Sequence, residues 1–398
     1  MAEFAKLPPF DPADPLGLDD QLDAEDLAIR DTVRTWAADR VLPYVAGWFE
    51  EGELPDIRGL ARELGGIGAL GMSLTGYGCA GASAVQYGLA CLELEAADSG
   101  IRSLVSVQGS LAMYAIHAFG SEEQKQHWLP DMASGDVIGC FGLTEPDHGS
   151  DPAGMRTYAK RDGANGDWVL NGRKMWITNG SVAGVAVVWA QTDDGIRGFV
   201  VPTDTPGFSA PEIKHKWSLR ASVTSELVLD DVRLPADAVL PDVTGLRGPL
   251  SCLSHARYGI VWGAMGAARS CFEAAVDYAK TREQFGRPIG GFQLTQAKLA
   301  DMAVELHKGI LLAHHLGRRM DAGRLRPEQV SFGKLNNVRE AIDICRTART
   351  ILGANGISLE YPVMRHAANL ESVLTYEGTV EMHQLVLGKA LTGLDAFR

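Results

Sequence analysis

The 398-residue sequence contains 46% hydrophobic and 22% charged residues, which is the balance of an ordinary globular protein. A chain of this length usually folds as two or three domains. The net charge of −13 disfavours a nucleic-acid-binding protein, and no apolar run approaches the ~18 residues of a membrane span, so we expect no integral membrane segment.

The cysteines, the histidines and the N-terminal stretch give no sign of a metal site or of targeting. The six cysteines are too scattered for a zinc knuckle and too sparse for a secreted disulfide scaffold. His255, His366 and His383 have no metal-like spacing, so we expect no bound metal. Residues 1–20 are acidic and proline-rich and lack the features of a signal or transit peptide, which makes the cytoplasm the expected location.

Residues 1–136 are predicted to form a helical domain. Apolar residues recur there at three- and four-residue spacing, and Ser121 followed by Gln124 predicts a capped helix start. The glycines of residues 66–71 match a dinucleotide-binding fingerprint, but a charged helical pattern precedes them where that motif needs a strand. We therefore interpret them as a helix end and a turn.

Residues 137–244 are predicted to form a β domain. Runs of β-branched residues alternate there with glycine, proline and aspartate. The dipeptide Asn171-Gly172 predicts a two-residue hairpin turn between strands.

Residues 245–398 return to a helical pattern. One apolar stripe at helical spacing consists of Leu299, Met302, Leu306, Ile310 and Ala313. Because strands and helices do not alternate along the chain, a doubly wound parallel sheet is disfavoured. The expected fold is mainly α with a central β domain.

Two segments of the predicted β domain combine small, hydroxyl and aromatic residues. The first runs from residue 141 to 155 after a predicted strand, and the second contains Trp176 and Thr178. Exposed backbone N–H groups, hydroxyl donors and a flat indole could hold a polar planar ring. A β-turn beside a structural tryptophan is the alternative interpretation.

Two segments of the helical C-terminal part could approach a phosphate-bearing ligand. Arg282 could contact a phosphate, and Gln293 and Gln296 share a helix face. Gly353 and Gly356 would allow close backbone approach. Solvated side chains in a helix–helix joint and a helix end, respectively, are the alternatives.

Two acidic residues are candidates for chemistry. Glu377 lies beside Gly378 between two helical segments, as a general base could, although most such glutamates are only solvated. Glu95 and Arg102 are seven residues apart and share a face if the helix continues through Gly100. The alternative for this pair is an exposed ion pair of little energetic value.

Together, these segments resemble the acyl-CoA dehydrogenase family, and most closely its glutaryl-CoA dehydrogenases. The similarity runs from about Asp23 to Phe397 through ordered motifs, namely ELEAADSGIRS, FGLTEPDHGSDPAGM, KMWITN, SLRAS, ARYGI, TREQFGRPIGGFQ, LGANGIS and TYEGT. It implies an N-terminal α-helical domain, a β-barrel-like middle domain and a C-terminal four-helix bundle, divided at 1–136, 137–244 and 245–398. It also implies a homotetramer with FAD between the domains and partly held by a neighbouring subunit.

The resemblance assigns the catalytic base to Glu377 and the acyl pocket to residues near it. Arg102 would receive the distal carboxylate of a dicarboxylyl-CoA, with Ser103 beside it and Glu95 nearby; Tyr376 resembles a residue of decarboxylating members. The other residues implied to contact substrate are Ser150, Leu250, Ser251, Cys252, Leu253, Ser254, His255, Ala256 and Arg257.

The resemblance also implies a set of FAD-binding residues. They are Phe141, Leu143, Thr144, Gly149, Ser150, Trp176, Ile177, Thr178, Arg282, Phe285, Gln293, Gln296, Leu352, Gly353, Thr379 and Glu381. The sequence departs from the common pattern at Val380-Glu381, where many members carry His-Asp, and at Ser254-His255, where Asn-Asn is commoner. It also has Gly-Ala-Asn at 353–355 in place of the usual double glycine.

The implied reaction is oxidative decarboxylation of glutaryl-CoA to crotonyl-CoA and CO2. Glu377 would remove the α-proton, hydride would pass from the β-carbon to the flavin, and an electron-transfer flavoprotein would accept the electrons. We expect burial to raise the pKa of Glu377. The alternatives are a short monocarboxylyl-CoA dehydrogenase in which Arg102 only partners Glu95, a nonredox flavin- or CoA-binding protein, and an oxidase that passes electrons to O2.

Overall fold

The structure, a computed structural model, describes residues 10–162 and 166–396. The first nine residues of the N-terminal stretch and Phe397, the last residue of the resemblance, lie outside the described part. The helices are α1 (Ala24–Arg40), α2 (Val45–Glu51), α3 (Ile57–Gly66), α4 (Ala84–Ala97), α5 (Ser99–Ser106), α6 (Tyr114–Phe119), α7 (Glu122–Ser134), α8 (Arg247–Thr281), α9 (Gln293–Asp321), α10 (Pro327–Leu352), α11 (Val363–Thr375) and α12 (Val380–Thr392). The strands are β1 (Gly139–Gly142), β2 (Tyr158–Asp162), β3 (Asp167–Thr178), β4 (Val185–Thr192), β5 (Gly195–Pro202), β6 (Phe208–Ser209), β7 (Thr224–Leu234), β8 (Glu283–Gln284) and β9 (Arg287–Pro288).

The helix ends of the N-terminal part follow the local sequence signals. The Ser121 side chain accepts a hydrogen bond from the Gln124 N–H, and the Gln124 side chain accepts one from the Ser121 N–H. This capping box confirms the predicted start of α7. Helix α3 ends at Gly66, and Gly68 and Gly71 adopt φ values of +73° and +61°. The glycines therefore end a helix and form a turn, as predicted.

Helices α4 and α5 are separated by a break at Asp98. Its φ and ψ of −166° and 141° are extended, and its carboxylate accepts from the Gly100 N–H at 2.7 Å, which caps α5. Asp98 Oδ2 also accepts from Arg365 Nη1 at 2.5 Å and Asn369 Nδ2 at 3.0 Å on α11. The condition that one helix continues through Gly100 is therefore not met, because the Asp98 side chain caps a new helix there.

The middle of the chain forms a seven-stranded sheet. Its order is β1-β4-β2-β3-β7-β6, with β5 paired to β4; β1 and β4 are parallel, whereas β2–β3, β3–β7 and β4–β5 are antiparallel. Among the described residues between β1 and β7, no α-helix connects two strands of the sheet. This agrees with the prediction that the sheet is not doubly wound.

The predicted hairpin turn at Asn171-Gly172 is wrong. Both residues lie inside β3, at a register shift against β7 between Leu170 and Gly172. Gly172 has φ +148°, and the Asn171 amide exchanges hydrogen bonds with Asp231 at 2.9 Å, donating to its carboxylate and accepting from its N–H. The dipeptide therefore forms a bulge, since a side chain on the neighbouring strand satisfies the asparagine.

The N-terminal and C-terminal helices share one hydrophobic core. It extends from Val33 on α1 to Val373 on α11. On α9, the predicted stripe is confirmed: Met302, Leu306, Ile310 and Ala313 are buried, and Leu299 packs against the core. The candidate site lies at the junction where α4, α5, α8 and α10 meet the connection between α11 and α12.

The described part of the chain contains neither a membrane-spanning helix nor a cluster of metal ligands. No helix in residues 10–162 and 166–396 is long and apolar enough to cross a membrane. Within the same residues, no group of three histidine, cysteine or acidic side chains could hold a metal ion.

Candidate active site

Glu377 lies in the short connection between α11 and α12. Its φ of +55° is left-handed, and Gly378 follows with φ +100°. The Glu377 Oε2 atom is buried and has no hydrogen-bond partner among the described residues. Burial raises the pKa of Glu377, although the charges of Arg102, Lys334 and Arg257 oppose the shift. This is the direction expected from the sequence.

The buried Lys334 and the half-buried Arg257 hold the backbone of this connection. Arg257 Nε donates to the Glu377 carbonyl oxygen at 2.6 Å, and Lys334 Nζ donates to the carbonyl oxygens of Tyr376 and Gly378, both at 2.7 Å. Arg257 was among the residues predicted from the resemblance. Lys334 was not, because a lysine inside an amphipathic helix is usually solvated.

Arg102 and Glu95 form a buried ion pair next to Tyr376. Arg102 Nε donates to Glu95 Oε2 at 2.5 Å, and Arg102 Nη2 donates to Ser103 Oγ at 3.3 Å and to the Tyr376 hydroxyl. The side chains of Arg102 and Glu95 are 1% and 0% exposed, so the alternative of an exposed pair is wrong. The two residues meet across the break at Asp98 rather than along one helix.

Two atoms of this pair retain unused hydrogen-bonding capacity. Arg102 Nη1 and Glu95 Oε1 are buried and have no partner within the described residues. Buried polar atoms without partners are rare in folded proteins, and a bound ligand is one common explanation. Together with Glu377 Oε2, they form a set of three unpartnered polar atoms around one buried region.

Gly263 on α8 makes room for the pair, and sequence reasoning missed it. A Cβ at this position would lie 2.8 Å from Arg102 Cδ and 3.0 Å from Glu95 Cδ, both too close. Gly263 belongs to the segment GIVWGAMG, whose small residues indicate close approach between helices but do not indicate which side chains use the space.

The predicted substrate stretch from Leu250 to Arg257 forms the first turns of α8, which begins at Arg247. Ser251 Oγ donates to the Gly248 carbonyl oxygen at 2.8 Å, and Ser254 Oγ donates to that of Leu250 at 2.9 Å. Both hydroxyls therefore bond their own helix. Leu250 is 40% exposed.

The remaining residues of that stretch lie deeper. The His255 ring lies 4.0 Å from the Tyr114 ring, and burial lowers the pKa of His255 to about 4, which leaves the imidazole neutral at neutral pH. Cys252 and Ala256 are fully buried in the core cluster that Leu253 packs against. The side chains of Cys252, Leu253 and Ala256 therefore pack beneath the first turns of α8.

The two segments predicted to line a planar ring are neighbours in the sheet. The Met175 N–H donates to the Thr144 carbonyl oxygen at 2.9 Å, and Lys174 Nζ donates to the Leu143 carbonyl oxygen at 3.1 Å and to Glu145 Oε1 at 2.8 Å. These bonds fix the end of β1 against β3. The apolar members Phe141, Leu143 and Ile177 are buried under this edge.

The polar and aromatic members of these segments face outward. Trp176 is 59% exposed with φ +63°, Thr144 and Thr178 are half-buried, and Gly149 and Ser150 are exposed. Trp176 lies near the end of β3, where the register against β7 shifts, and its exposed indole on a left-handed backbone presents a flat apolar surface. The residues therefore suit a planar heteroaromatic group such as the flavin ring of FAD.

The residues assigned to the nucleotide portion lie on an exposed hairpin and at the start of the next helix. Arg282, Phe285, Gln293 and Gln296 are exposed, and Phe285 is 95% so, with φ +53°. In the described residues, no hydrogen bond, ion pair or ring contact joins these four to Trp176 or to Glu377.

The last four predicted residues lie at helix ends. Leu352 is buried at the end of α10, and Gly353 follows with φ +60° and open space beside it. Thr379 caps α12, since its Oγ1 accepts from the Met382 N–H at 3.3 Å, and Glu381 is exposed in the first turn.

The protein consists of two helical parts around a mixed sheet, and at their junction the buried Oε2 atom of Glu377 has no hydrogen-bond partner among the described residues. Models of the acyl-CoA dehydrogenase N-terminal, middle and C-terminal domains match residues 23–136, 140–232 and 244–392. The chain therefore belongs to the acyl-CoA dehydrogenase family. This confirms the predicted family and three-part fold, while the predicted domain boundaries remain predictions.

Two solved structures and one curated relative show which members of the family this chain resembles. The chain is 73% identical to a solved structure of glutaryl-CoA dehydrogenase from Mycobacterium smegmatis, with a TM-score of 0.95, and the match covers 97% of this chain and 99% of that one. It is 64% identical to a glutaryl-CoA dehydrogenase from Mycobacterium smegmatis in complex with FADH2, with a TM-score of 0.95 and coverage of 98% and 100%. It is also 38% identical to the human mitochondrial short-chain specific acyl-CoA dehydrogenase over 73% of this chain and 71% of that protein.

Proposed function

We propose that this enzyme oxidatively decarboxylates glutaryl-CoA to crotonyl-CoA and CO2. As a member of the acyl-CoA dehydrogenase family, it is an FAD-dependent enzyme. The relatives of 64% and 73% identity, both glutaryl-CoA dehydrogenases, support the choice of substrate. The roles given below to individual residues are part of the proposal.

The single observation that carries the choice of substrate is the buried Arg102 with an unpartnered Nη1 atom. A carboxylate moved from water into an acyl pocket loses several kcal/mol of hydration free energy, which a planar guanidinium can largely offset. An acyl chain without a distal carboxylate would leave that Nη1 donor unsatisfied. We therefore assign Arg102 to the distal carboxylate of a dicarboxylyl-CoA, with Ser103 and Tyr376 holding the guanidinium.

Glu377 is the proposed general base. The α-proton of a thioester is weakly acidic, so its removal needs a well-placed carboxylate in a water-poor site. The buried and unpartnered Oε2 of Glu377 meets that requirement. Its raised pKa makes it a better proton acceptor than an exposed glutamate, and the Glu377 N–H is the proposed donor to the thioester carbonyl.

The cofactor of this reaction is FAD, which the exposed Trp176 face and the segments from Phe141 to Ser150 are proposed to hold. When bound, it supplies a flavin ring that accepts the hydride from the substrate β-carbon. The protein's own residues then orient the thioester and exclude water around Glu377.

Decarboxylation follows from the position of the distal carboxylate. Once the α,β double bond has formed, the γ-carboxylate can leave as CO2 because its bonding electrons delocalise into the enone. Protonated Glu377 returns its proton to the resulting dienolate, at the carbon that lost CO2. Arg102 holds the carboxylate until the bond breaks, and Glu95 balances the charge of Arg102 afterwards.

The experiment is an anaerobic titration of the purified holoenzyme with a panel of acyl-CoA esters, read by bleaching of the flavin absorbance. We expect glutaryl-CoA to bleach wild type and not Glu377→Gln, with FAD retained in both. Glu371→Gln is the matched control, since Glu371 is exposed on α11 and pairs with Arg346 at the surface. Bleaching of Glu377→Gln at the wild-type rate would refute the base. No bleaching by any ester would favour the nonredox alternative.

One observation favours the second candidate, dehydrogenation of a short monocarboxylyl-CoA without decarboxylation. Arg102 already has a carboxylate partner in Glu95 at 2.5 Å, so its charge is compensated without substrate. The two candidates differ in wild-type turnover, because the glutaryl-CoA assignment predicts a higher kcat/KM for glutaryl-CoA than for butyryl-CoA. The opposite order would favour the second candidate.

We propose a homotetramer and an electron-transfer flavoprotein as the partners. The nearly fully exposed Phe285 and the 81% exposed Leu294 support burial of the hairpin region in an assembly. Light scattering of the holoenzyme should give four times the chain mass. Reoxidation of the substrate-reduced enzyme should be fast with electron-transfer flavoprotein and slow with O2, whereas rapid peroxide formation would indicate an oxidase.

A further inference from the structure

The connection that carries Glu377 has a backbone conformation that needs outside support. Glu377 and Gly378 have φ values of +55° and +100°. Residues other than glycine rarely adopt the left-handed region, and they keep it only where their surroundings hold them there. The contacts of this short segment therefore determine whether the carboxylate stays in place.

Lys334 provides the most extensive of these contacts. Its Nζ donates to the carbonyl oxygen before Glu377 and to the one after it, both at 2.7 Å, and so spans the strained residue. Arg257 Nε holds the carbonyl between them. Lys334 lies on α10, 2% exposed, and its two hydrogen bonds go to these backbone oxygens and not to a carboxylate.

The charge of Lys334 also acts on Glu377. The titratable and charged groups around Glu377 come from six elements, and they are Glu95 on α4, Arg102 on α5, Arg257 on α8, Lys334 on α10, Tyr376 after α11 and His383 on α12. Burial lowers the pKa of His383 to about 3, so the ring is neutral. Burial also lowers the pKa of Lys334, to about 7, although the Glu377 carboxylate opposes that shift, so Lys334 is only partly protonated at neutral pH.

Neither Lys334 nor Arg257 has a hydrogen-bonded acidic or phenolic partner among the described residues, since both donate to backbone carbonyls. Arg102 is paired with Glu95 and Tyr376, and Arg257 is assigned to the substrate region. In its protonated form Lys334 can stabilise the ionised base, and its two hydrogen bonds fix the backbone on either side of it.

We propose that Lys334 is a positioning residue for the base: it clamps the carbonyls of Tyr376 and Gly378, and in its protonated form it favours the ionised form of Glu377. The inference deepens the proposed function and rests on the assignment of Glu377. Lys334 does not touch the reacting atoms, and its effect reaches the substrate through the carboxylate of Glu377.

The test compares Lys334→Met with Asn337→Ala in the FAD-loaded enzyme. Asn337 is a matched control: it is one turn further along α10, fully buried, and its Nδ2 also bonds two backbone carbonyls, those of Val261 at 2.8 Å and Gly309 at 2.9 Å. It contacts no part of the 376–378 segment by hydrogen bond. The readouts are single-turnover flavin reduction by glutaryl-CoA as a function of pH, and amide hydrogen exchange of residues 376–383.

For Lys334→Met we expect three changes. The limiting rate of flavin reduction falls about 10- to 100-fold, because a misplaced base loses orientation. The acid limb of the pH–rate profile moves up by about one pH unit, because losing a nearby positive charge raises the pKa of Glu377 and the base must be ionised to act. Amide exchange of residues 376–383 becomes faster. Asn337→Ala should lower thermal stability and leave the acid limb and the exchange of this segment unchanged.

Two further variants separate the effect of the Lys334 hydrogen bonds from the effect of its charge. They also test the inference if Lys334→Met fails to fold. Lys334→Gln keeps N–H donors without the charge and should show the raised acid limb. Lys334→Arg keeps both the N–H donors and the positive charge, and its acid limb should therefore lie at the wild-type position. If Lys334→Met or Lys334→Gln keeps the wild-type acid limb and exchange, the inference is wrong, while wild-type reduction by glutaryl-CoA still supports the proposed function. Wild type that no acyl-CoA reduces contradicts the proposed function instead.

Discussion

Two glutamates on α4, two residues apart, show the difference between a fully satisfied ion pair and the incompletely satisfied pair that we propose as a binding site. Glu93 is 2% exposed and accepts from Arg34 Nε and Nη2 at 3.1 and 3.0 Å and from Arg269 Nη1 and Nη2 at 2.8 and 2.6 Å. Each of its oxygens has two donors. Although burial opposes ionisation, the two guanidinium groups hold the pKa of Glu93 below its usual value.

Glu95 is equally buried but incompletely satisfied. One of its oxygens accepts from Arg102, and the other has no partner among the described residues; Arg102 Nη1 is also without one. Residues i and i+2 of a helix point in nearly opposite directions, so the two glutamates serve different faces of α4. Burial alone does not mark a functional site here. The unused hydrogen-bonding capacity of the buried Glu95–Arg102 pair is the feature that supports its proposed role in substrate binding.

The largest effect that separates the two pairs is expected for Arg102→Met. Without the guanidinium, the distal carboxylate of the bound substrate would be buried without a cation at a cost of about 3–5 kcal/mol, so kcat/KM for glutaryl-CoA should fall about 10²- to 10⁴-fold. Butyryl-CoA has no distal carboxylate, and its turnover should fall much less. Steady-state kinetics with both esters measure the ratio. An equal loss for the two esters would reduce Arg102 to a structural residue.

Glu93→Gln should have the opposite profile. The change leaves two guanidinium groups without their carboxylate, and because Arg34 and Arg269 are 49% and 19% exposed, we expect a loss of about 2 kcal/mol in the free energy of unfolding. The ratio of glutaryl-CoA to butyryl-CoA turnover should not change. Denaturant unfolding of the holoenzyme at several pH values measures the stability.

The sign of the pH dependence follows from the lowered pKa of Glu93. A carboxylate with a folded-state pKa below its unfolded value adds stability above the unfolded pKa and loses it as the pH falls through the folded pKa. The difference between wild type and Glu93→Gln should therefore be full at neutral pH and shrink in acid. A difference that stayed constant down to low pH would contradict the ion-pair account.

Gly263→Ala should have the smallest effect and should sharpen the comparison. The new Cβ would press on Glu95 Oε2, Arg102 Cδ and Glu95 Cδ, and overpacking of this kind costs about 1–3 kcal/mol. Because the pair must shift, part of the loss should appear in kcat/KM for glutaryl-CoA. Gly47→Ala on α2 is the control, since a Cβ there meets nothing within 4 Å. Equal glutaryl-CoA kinetics for both variants would contradict the proposed role of Gly263.

Local signals in the sequence predicted the structure correctly where interactions between neighbouring residues determine the backbone conformation. The capping box at Ser121 and the glycine turn after α3 depend on neighbouring residues, and the structure has both. Asn171-Gly172 failed because a side chain from another strand, Asp231, satisfies the asparagine and turns a hairpin signal into a bulge. The competing contact is 60 residues away and leaves no trace in the local sequence.

The candidate site was partly predictable for the same reason. Glu95 and Arg102 were paired on helical spacing, yet they meet because Asp98 ends one helix and starts another. Glu377 was recognised from its motif and from the resemblance. Lys334 and Gly263 could not be found this way, since their importance depends on which helices pack together.

The most direct test of the account is the stoichiometry of CO2 release from glutaryl-CoA by the purified holoenzyme with electron-transfer flavoprotein as acceptor. The account predicts one CO2 and one crotonyl-CoA for each glutaryl-CoA consumed. Quantitative release of glutaconyl-CoA without CO2 would contradict it.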